Sequence, residues 1–209
     1  MEVITKYFPD LSPEQLHQFQ ALDVLYRDWN AKVNLISRKD IDNLYLHHVL
    51  HSLAIARLIR FNASAEILDI GTGGGFPGIP LAILMPDVRF HLVDSTLKKI
   101  KVVEDVIRSL GLKNTKAQQI RVEELKGARF DFVVTRAVAE LNQLRLWSVR
   151  LLKNKQTHAF PNGLIALKGG NIQAEIKALP KGEYTENYPV SDFFKEEYFQ
   201  EKFVVYLQG

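Results

Sequence analysis

A mostly parallel, doubly wound α/β sheet behind a helical amino-terminal segment is the fold that this sequence predicts. Three observations carry it. From about residue 66 onward, short apolar runs alternate with helical patterns, the rhythm of strand–helix–strand units. One run, Ile67-Leu-Asp-Ile-Gly-Thr-Gly-Gly-Gly-Phe-Pro-Gly-Ile-Pro80, passes from an apolar strand into glycines and then into a helix start. Residues 1–62 show helical periodicity only, so they form an expected helical extension packing on a core domain of residues 63–209.

Each element has its own signal. Ser12-Pro-Glu-Gln15 predicts a helix start, with serine as cap, proline at the first helical position and Gln15 completing a capping box. Leu16, Phe19, Leu22, Tyr26, Trp29 and Val33 then recur at helical spacing, and 34–39 reads as a break. A second helix is expected over about 40–59, burying Leu46, Leu50 and Leu53. Strands follow at 67–70 and 89–94. A helix is expected over 98–110 with Ile100, Val103, Ile107 and Leu110 inward, stopped by Gly111. A weak strand at 116–120 and a strong one at 130–135 precede a helix over 141–152. A strand at 164–167, a short helix over 172–179 and a closing strand at 202–207 complete the pattern, which assigns nothing to 184–200.

The chain has 209 residues, 46% of them hydrophobic and 24% charged, which suits one main globular domain. A formal net charge of +3 permits a nucleic-acid partner without demanding one. The absence of cysteine excludes disulfides, thiolate zinc sites and cysteine nucleophiles. The amino terminus lacks a signal-peptide layout, and the apolar run at 79–85 is too short to span a bilayer. A soluble cytoplasmic protein is expected. No heptads or large apolar stripe ask for a partner, so a monomer is expected. His47 and His51 lie four apart on a helix, yet no internal glutamate or third ligand accompanies them, so no metal is expected. His48 is expected to be packed or near the pocket, and the other two to face solvent or RNA.

The glycine run predicts a nucleotide-shaped pocket. Gly73, Gly75 and Gly78 satisfy the pattern GxGxxG, a weak match in so glycine-rich a stretch. The helix start should add free N–H groups. Asp94 ends the next strand about 20 residues further on, where an acid binds ribose hydroxyls. That suits the adenosine of NAD or of S-adenosylmethionine. Phe76, Pro77 and Pro80 crowd the loop where a diphosphate needs open backbone, which tilts the reading towards the methyl donor.

More specific signals lie in order along the chain: Asn34-Leu-Ile-Ser37, His48-Val-Leu-His-Ser-Leu53, the glycine run, Asp94-Ser-Thr-Leu-Lys-Lys99, Arg121-Val-Glu123, Thr135-Arg-Ala137 and Ala166-Leu-Lys-Gly169. In these the chain resembles the small-subunit ribosomal RNA methyltransferase G family, also called glucose-inhibited division protein B. The resemblance implies a class I S-adenosylmethionine-dependent methyltransferase fold, Rossmann-like, with a seven-stranded, mostly parallel sheet. It implies methylation of the 7-nitrogen of a guanine in 16S ribosomal RNA of the small ribosomal subunit. It implies cofactor contacts at Gly71, Gly73, Phe76, Val122, Glu123 and Arg136, with Asp94 at the ribose end. Lys98, Lys99, Arg121 and Lys168 match basic positions that meet RNA or the reacting centre. The chain departs from the family at His51, where an aspartate is usual.

Such a reaction needs no general base, because the 7-nitrogen has a free lone pair and no proton to lose. No acid–base catalyst is therefore expected. Arg136 would orient the guanine through its oxygen, or alternatively pair with an acid in the pocket. Two other readings stay open from the residues alone: a nicotinamide oxidoreductase, and a non-catalytic RNA-binding assembly factor that keeps the fold.

Overall fold

The computed structural model describes residues 1–33, 35–37, 39–136 and 138–209. Asn34 and Arg38 of the expected break, and Ala137 of the Thr-Arg-Ala motif, lie outside the described residues. Five strands run parallel: β1 (Glu66–Ile70), β2 (Arg89–Asp94), β3 (Thr115–Gln119), β4 (Phe132–Arg136) and β5 (Gly163–Gly169). β6 (Thr185–Pro189) and β7 (Lys202–Gln208) add antiparallel partners, giving a seven-stranded sheet in the order β3-β2-β1-β4-β5-β7-β6. The chain winds outward from β1 to β3, then returns to begin β4 on the other side of β1. The crossovers therefore part at the carboxyl ends of β1 and β4, where open α/β sheets hold their ligands. Ile70 pairs with Val93 and with Thr135, so the ends of β1, β2 and β4 lie level.

Central strands such as Phe132–Arg136 are apolar and buried along nearly their whole length because helices cover both faces. These helices are α1 (Glu2–Tyr7), α2 (Pro13–Lys32), α3 (His51–Leu58), α4 (Gly78–Leu84), α5 (Leu97–Ser109), α6 (Leu141–Ser148) and α7 (Ile172–Lys177). α2 starts as its sequence dictates. Ser12 Oγ accepts from the Gln15 N–H, and Gln15 Oε1 accepts from the Ser12 N–H. Gln15 Nε2 also donates to the carbonyls of Ile83 and Leu84, fastening α2 to the end of α4. One apolar core runs across residue 62, joining Phe19, Leu22, Tyr26 and Leu53 to Phe76, Ile79 and Leu92.

Several elements differ from the sequence pattern. The helix expected over 40–59 is wound three ways: a 3₁₀ turn (Ile41–Asn43), a π-helix (Leu44–Leu50) and then α3. The wider π winding buries Leu44 and Val49, five residues apart, and leaves Leu46 half-buried. α5 turns Val102, Val103 and Val106 inward with Ile100, while Ile107 is only half-buried. The helix from 141 tightens into a 3₁₀ turn (Val149–Leu151) after Ser148. The stretch with no assigned element contains β6, whose Thr-Glu-Asn-Tyr-Pro sequence carries no apolar alternation. No helix among the described residues is long and apolar enough to cross a membrane.

Candidate functional site

The glycine run turns immediately after β1. Gly71 and Gly73 sit at φ +64 and +58, which L side chains rarely adopt, and a Cβ on Gly71 would lie 2.4 Å from Val138 Cγ1. Two carboxylates hold the turn. Asp69, fully buried in β1, accepts from Thr72 Oγ1 at 2.6 Å and from the Gly78 N–H at 2.9 Å. Burial pushes its carboxyl up to about 7, against the pull of those two hydrogen bonds. Asp94 closes β2, accepting from the Gly73 N–H at 3.0 Å on one oxygen and from the Thr96 N–H at 2.8 Å on the other.

The N–H groups expected to await a ligand are already spent. Those of Gly73 and Gly78 go to the two aspartates, and those of Gly75 and Phe76 both go to the Thr72 carbonyl. The Ile79 N–H goes to Gly75 O. The helix start thus caps itself on Asp69 and offers no phosphate cradle, which corrects the expectation of free N–H groups there.

A cleft of ≈ 380 Å³ opens beside this turn. Gly71, Asp94, Lys99, Arg121, Val122 and Glu123 line it, so most of the expected cofactor residues converge there. Its apolar walls add Ile120, Val138 and Trp147, which the sequence pattern did not single out. Only the packing of α6 against the cleft brings Trp147 in. A second hollow of ≈ 480 Å³ lies at the amino ends of β1, β2 and β3, lined by Glu66, Arg89 and Lys116 among others. It contains none of the expected site residues.

Phe76 and Arg136 stand apart from the cleft lining. The Phe76 ring is buried on the helical side of the turn, its centroid 4.9 Å from that of Tyr26 and 5.4 Å from that of His48. Arg136 ends β4 with its guanidinium 5.0 Å from the Phe76 centroid. It donates to the His47 carbonyl at 3.4 Å and to His48 Nδ1 at 3.0 Å. The alternative expected for it, an ion pair with an acid, is not formed among the described residues. His47 and His51 also differ from expectation. His47 stacks on Tyr198 at 3.8 Å, and His51 is buried against Tyr198 and Phe199. Burial, with Arg136 close by, pushes His51 down to about 3 and His48 to about 4, so both rings are neutral.

A family model described as rRNA small subunit methyltransferase G matches residues 14–198. The chain belongs to this family. A protein of that name from Flavobacterium psychrophilum is 52% identical over 207 residues, covering 99% of this chain and 97% of that one. Another from Bacteroides fragilis is 55% identical, covering 99% of both chains. Among solved structures, a SAM dependent methyltransferase from Aquifex aeolicus superposes with a TM-score of 0.58 at 15% identity, over 82% of this chain and 98% of that chain. The likeness is one of fold: this member of the methyltransferase G family has the class I methyltransferase architecture.

The basic residues matched to the methyltransferase G pattern divide by position. Arg121 is exposed and lines the cleft, and Lys98 is exposed on α5 next to Lys99. Lys99 leans towards Asp94, with Nζ 3.9 Å from Oδ2. Lys168 is buried, its ammonium donating to the Ala139 carbonyl at 2.9 Å and to Glu175 Oε2 at 2.8 Å. These internal contacts tie β5 to the segment after β4 and to α7. Among the described residues no group of three or more histidine or acidic side chains is placed to hold a metal ion.

Proposed function

We propose that the protein methylates the 7-nitrogen of a guanine in 16S ribosomal RNA of the small subunit, using S-adenosylmethionine. Membership of the methyltransferase G family supports the reaction class. One structural observation carries the choice of cofactor: the amides at the helix start, Gly78 and Ile79, are consumed internally, and two aspartates flank the turn. A pyrophosphate would find the helix-start amides of Gly78 and Ile79 already taken and would face two carboxylates. An adenosine bearing a sulfonium needs neither. Asp94, with one hydrogen bond to each oxygen, keeps lone pairs for ribose hydroxyls. Val122, Ile120, Val138 and Trp147 give the base an apolar wall.

S-adenosylmethionine supplies an activated methyl group, whose bond to sulfur breaks as the bond to the 7-nitrogen forms. The protein's contribution is alignment and exclusion of water. Gly71 lets the backbone pass close to the cleft. Arg136 orients the guanine through its oxygen, leaving the lone pair of the 7-nitrogen unoccupied. Lys98, Lys99 and Arg121 meet backbone phosphates. The protein acts as a monomer in the cytoplasm, where its ribosomal substrate resides.

The test is incubation with labelled S-adenosylmethionine and small subunits lacking the modification, followed by mapping of the labelled base. Label on the 7-nitrogen of one 16S guanine is the expected result. Label only on another base type, or only on protein, overturns the assignment. Tight NAD binding without binding of the methyl donor overturns the cofactor.

A further inference from the structure

Arg136 is a half-buried cation whose hydrogen bonds among the described residues go to a carbonyl and an imidazole, and the imidazole leads to a carboxylate. A guanidinium only donates, so His48 Nδ1, 3.0 Å away, carries the lone pair. The ring is neutral, and its proton therefore sits on Nε2. That atom lies 2.6 Å from Asp40 Oδ2 and donates to it. The second oxygen of Asp40 accepts from His47 Nδ1 at 2.5 Å. His47 is itself held by stacking on Tyr198. The π winding of Leu44–Leu50 places His47 and His48, neighbours in sequence, on one carboxylate.

We propose that Asp40 and His48 are positioning residues for Arg136: Asp40 fixes the ring of His48, and the ring's lone pair fixes the guanidinium at the carboxyl end of β4. The inference rests on the methyl-transfer reading, in which Arg136 orients the guanine. Phe76 backs the guanidinium, and among the described residues its other N–H groups have no acceptor, which suits them to a ligand's acceptor edge. Without Asp40 the ring can rotate or move its proton to Nδ1. An N–H would then confront the guanidinium and displace it. The arrangement is a carboxylate–imidazole–guanidinium series in which each partner dictates the next one's hydrogen-bond polarity.

Two measurements test it. The first needs no activity: ¹⁵N spectra of the histidine rings at neutral pH. His48 is expected to show an unprotonated Nδ1 and a protonated Nε2, and a protonated Nδ1 overturns the proposal. The second is a kinetic cycle with Asp40→Ala, His48→Ala, His48→Asn and the double variant Asp40→Ala/His48→Ala. Asp40→Ala is expected to lower kcat about tenfold, as loss of a hydrogen bond to a charged group does, with S-adenosylmethionine affinity unchanged. In the His48→Ala background the same change is expected to cost less than about twofold, because its intermediary is gone. His48→Asn, which places an amide oxygen near the position of Nδ1, is expected to recover part of what His48→Ala loses. An equal cost of Asp40→Ala in both backgrounds, or lower thermal stability with unchanged kcat, overturns the proposal. If the unmodified protein transfers no methyl group, the functional reading fails, while the ¹⁵N spectra still decide the polarity of the series.

Discussion

Replacing Lys168 with methionine separates two roles that the sequence alone left joined. The family pattern places this lysine towards RNA or the reacting centre, whereas the structure buries its ammonium against Glu175 Oε2 at 2.8 Å and the Ala139 carbonyl at 2.9 Å. The same Glu175 oxygen accepts from the Leu141 N–H at 2.8 Å, at the start of α6. One lysine thus holds together β5, α7 and the segment following β4. Breaking a fully buried ion pair costs about 3–5 kcal/mol. The carboxylate of Glu175 is 21% exposed and keeps the Leu141 N–H, so partial screening brings the expected loss to about 2–3 kcal/mol. For a chain of this size that lowers Tm by roughly 4–12 °C. Urea unfolding and a thermal melt, with Lys168→Met/Glu175→Gln as a companion, measure it. The double variant is expected to lose less than the sum of the singles, since no unpaired charge is left behind. An unchanged Tm together with a flatter salt dependence of RNA binding refutes the internal role.

Other expectations follow from the same contacts. Gly78→Ala puts a Cβ 2.7 Å from Leu92 Cγ and 2.8 Å from Asp69 Oδ2, both buried, and is expected to cost about 2–3 kcal/mol in urea unfolding. Gly111→Ala, with open space but φ +65, is expected to cost only about 1 kcal/mol, and equal losses at the two sites count against the packing argument. Lys98→Ala/Lys99→Ala is expected to reduce the salt slope of RNA binding by about 1.4, the value for two single-strand phosphate contacts, and filter binding across a salt series reads it. Burial pushes His48 and His91 down to about 4 and His51 to about 3, so unfolded chains take up more protons than native ones below the ordinary histidine value near 6.5. That stability is complete above about pH 6.5 and is lost as the pH falls towards 4. Asp69, pushed up to about 7, opposes this in the same window, since the native state keeps a proton that the unfolded chain has released. The histidines outnumber it, so the urea midpoint is expected to be lower at pH 5 than at pH 7, and a higher midpoint at pH 5 contradicts the neutral assignments.

The parallel strands and the glycine turn were legible because their signals are local. Arg89–Asp94 reads as a strand from six consecutive residues, and the capping box of α2 is complete in four. What escaped the pattern depends on distant partners. α1 has no side-chain cap, and the chain is held there by Tyr7 and Lys6 reaching Glu196, almost the full length of the sequence away. β6 carries no apolar alternation and pairs with the edge that β7 offers. The π winding of Leu44–Leu50 is equally invisible, since its five-residue interval serves contacts to Asp40, Tyr198 and Arg136 rather than an apolar stripe. At Lys168 the motif spacing was legible, but its buried pairing with Glu175 was not, because that partner lies on another element.

The glycine turn shows why a spacing template could not choose the cofactor. Gly73, Gly75 and Gly78 fit GxGxxG letter by letter, yet each is required for a reason internal to the protein. Gly73 takes φ +58 so that its N–H meets Asp94. Gly75, at φ +99, would drive a Cβ within 2.6 Å of Ile79 Cγ1 and 3.1 Å of the Tyr26 hydroxyl. Gly78 lets α4 approach Leu92 and Asp69. The carbonyl of Gly74 accepts from Tyr26 Oη at 2.6 Å, so the helical segment grips the back of the turn. A dinucleotide loop of the same spelling spends its glycines on the ligand's pyrophosphate. This one spends them on the two aspartates and on α2, and the ligand that suits it is one that brings no phosphate.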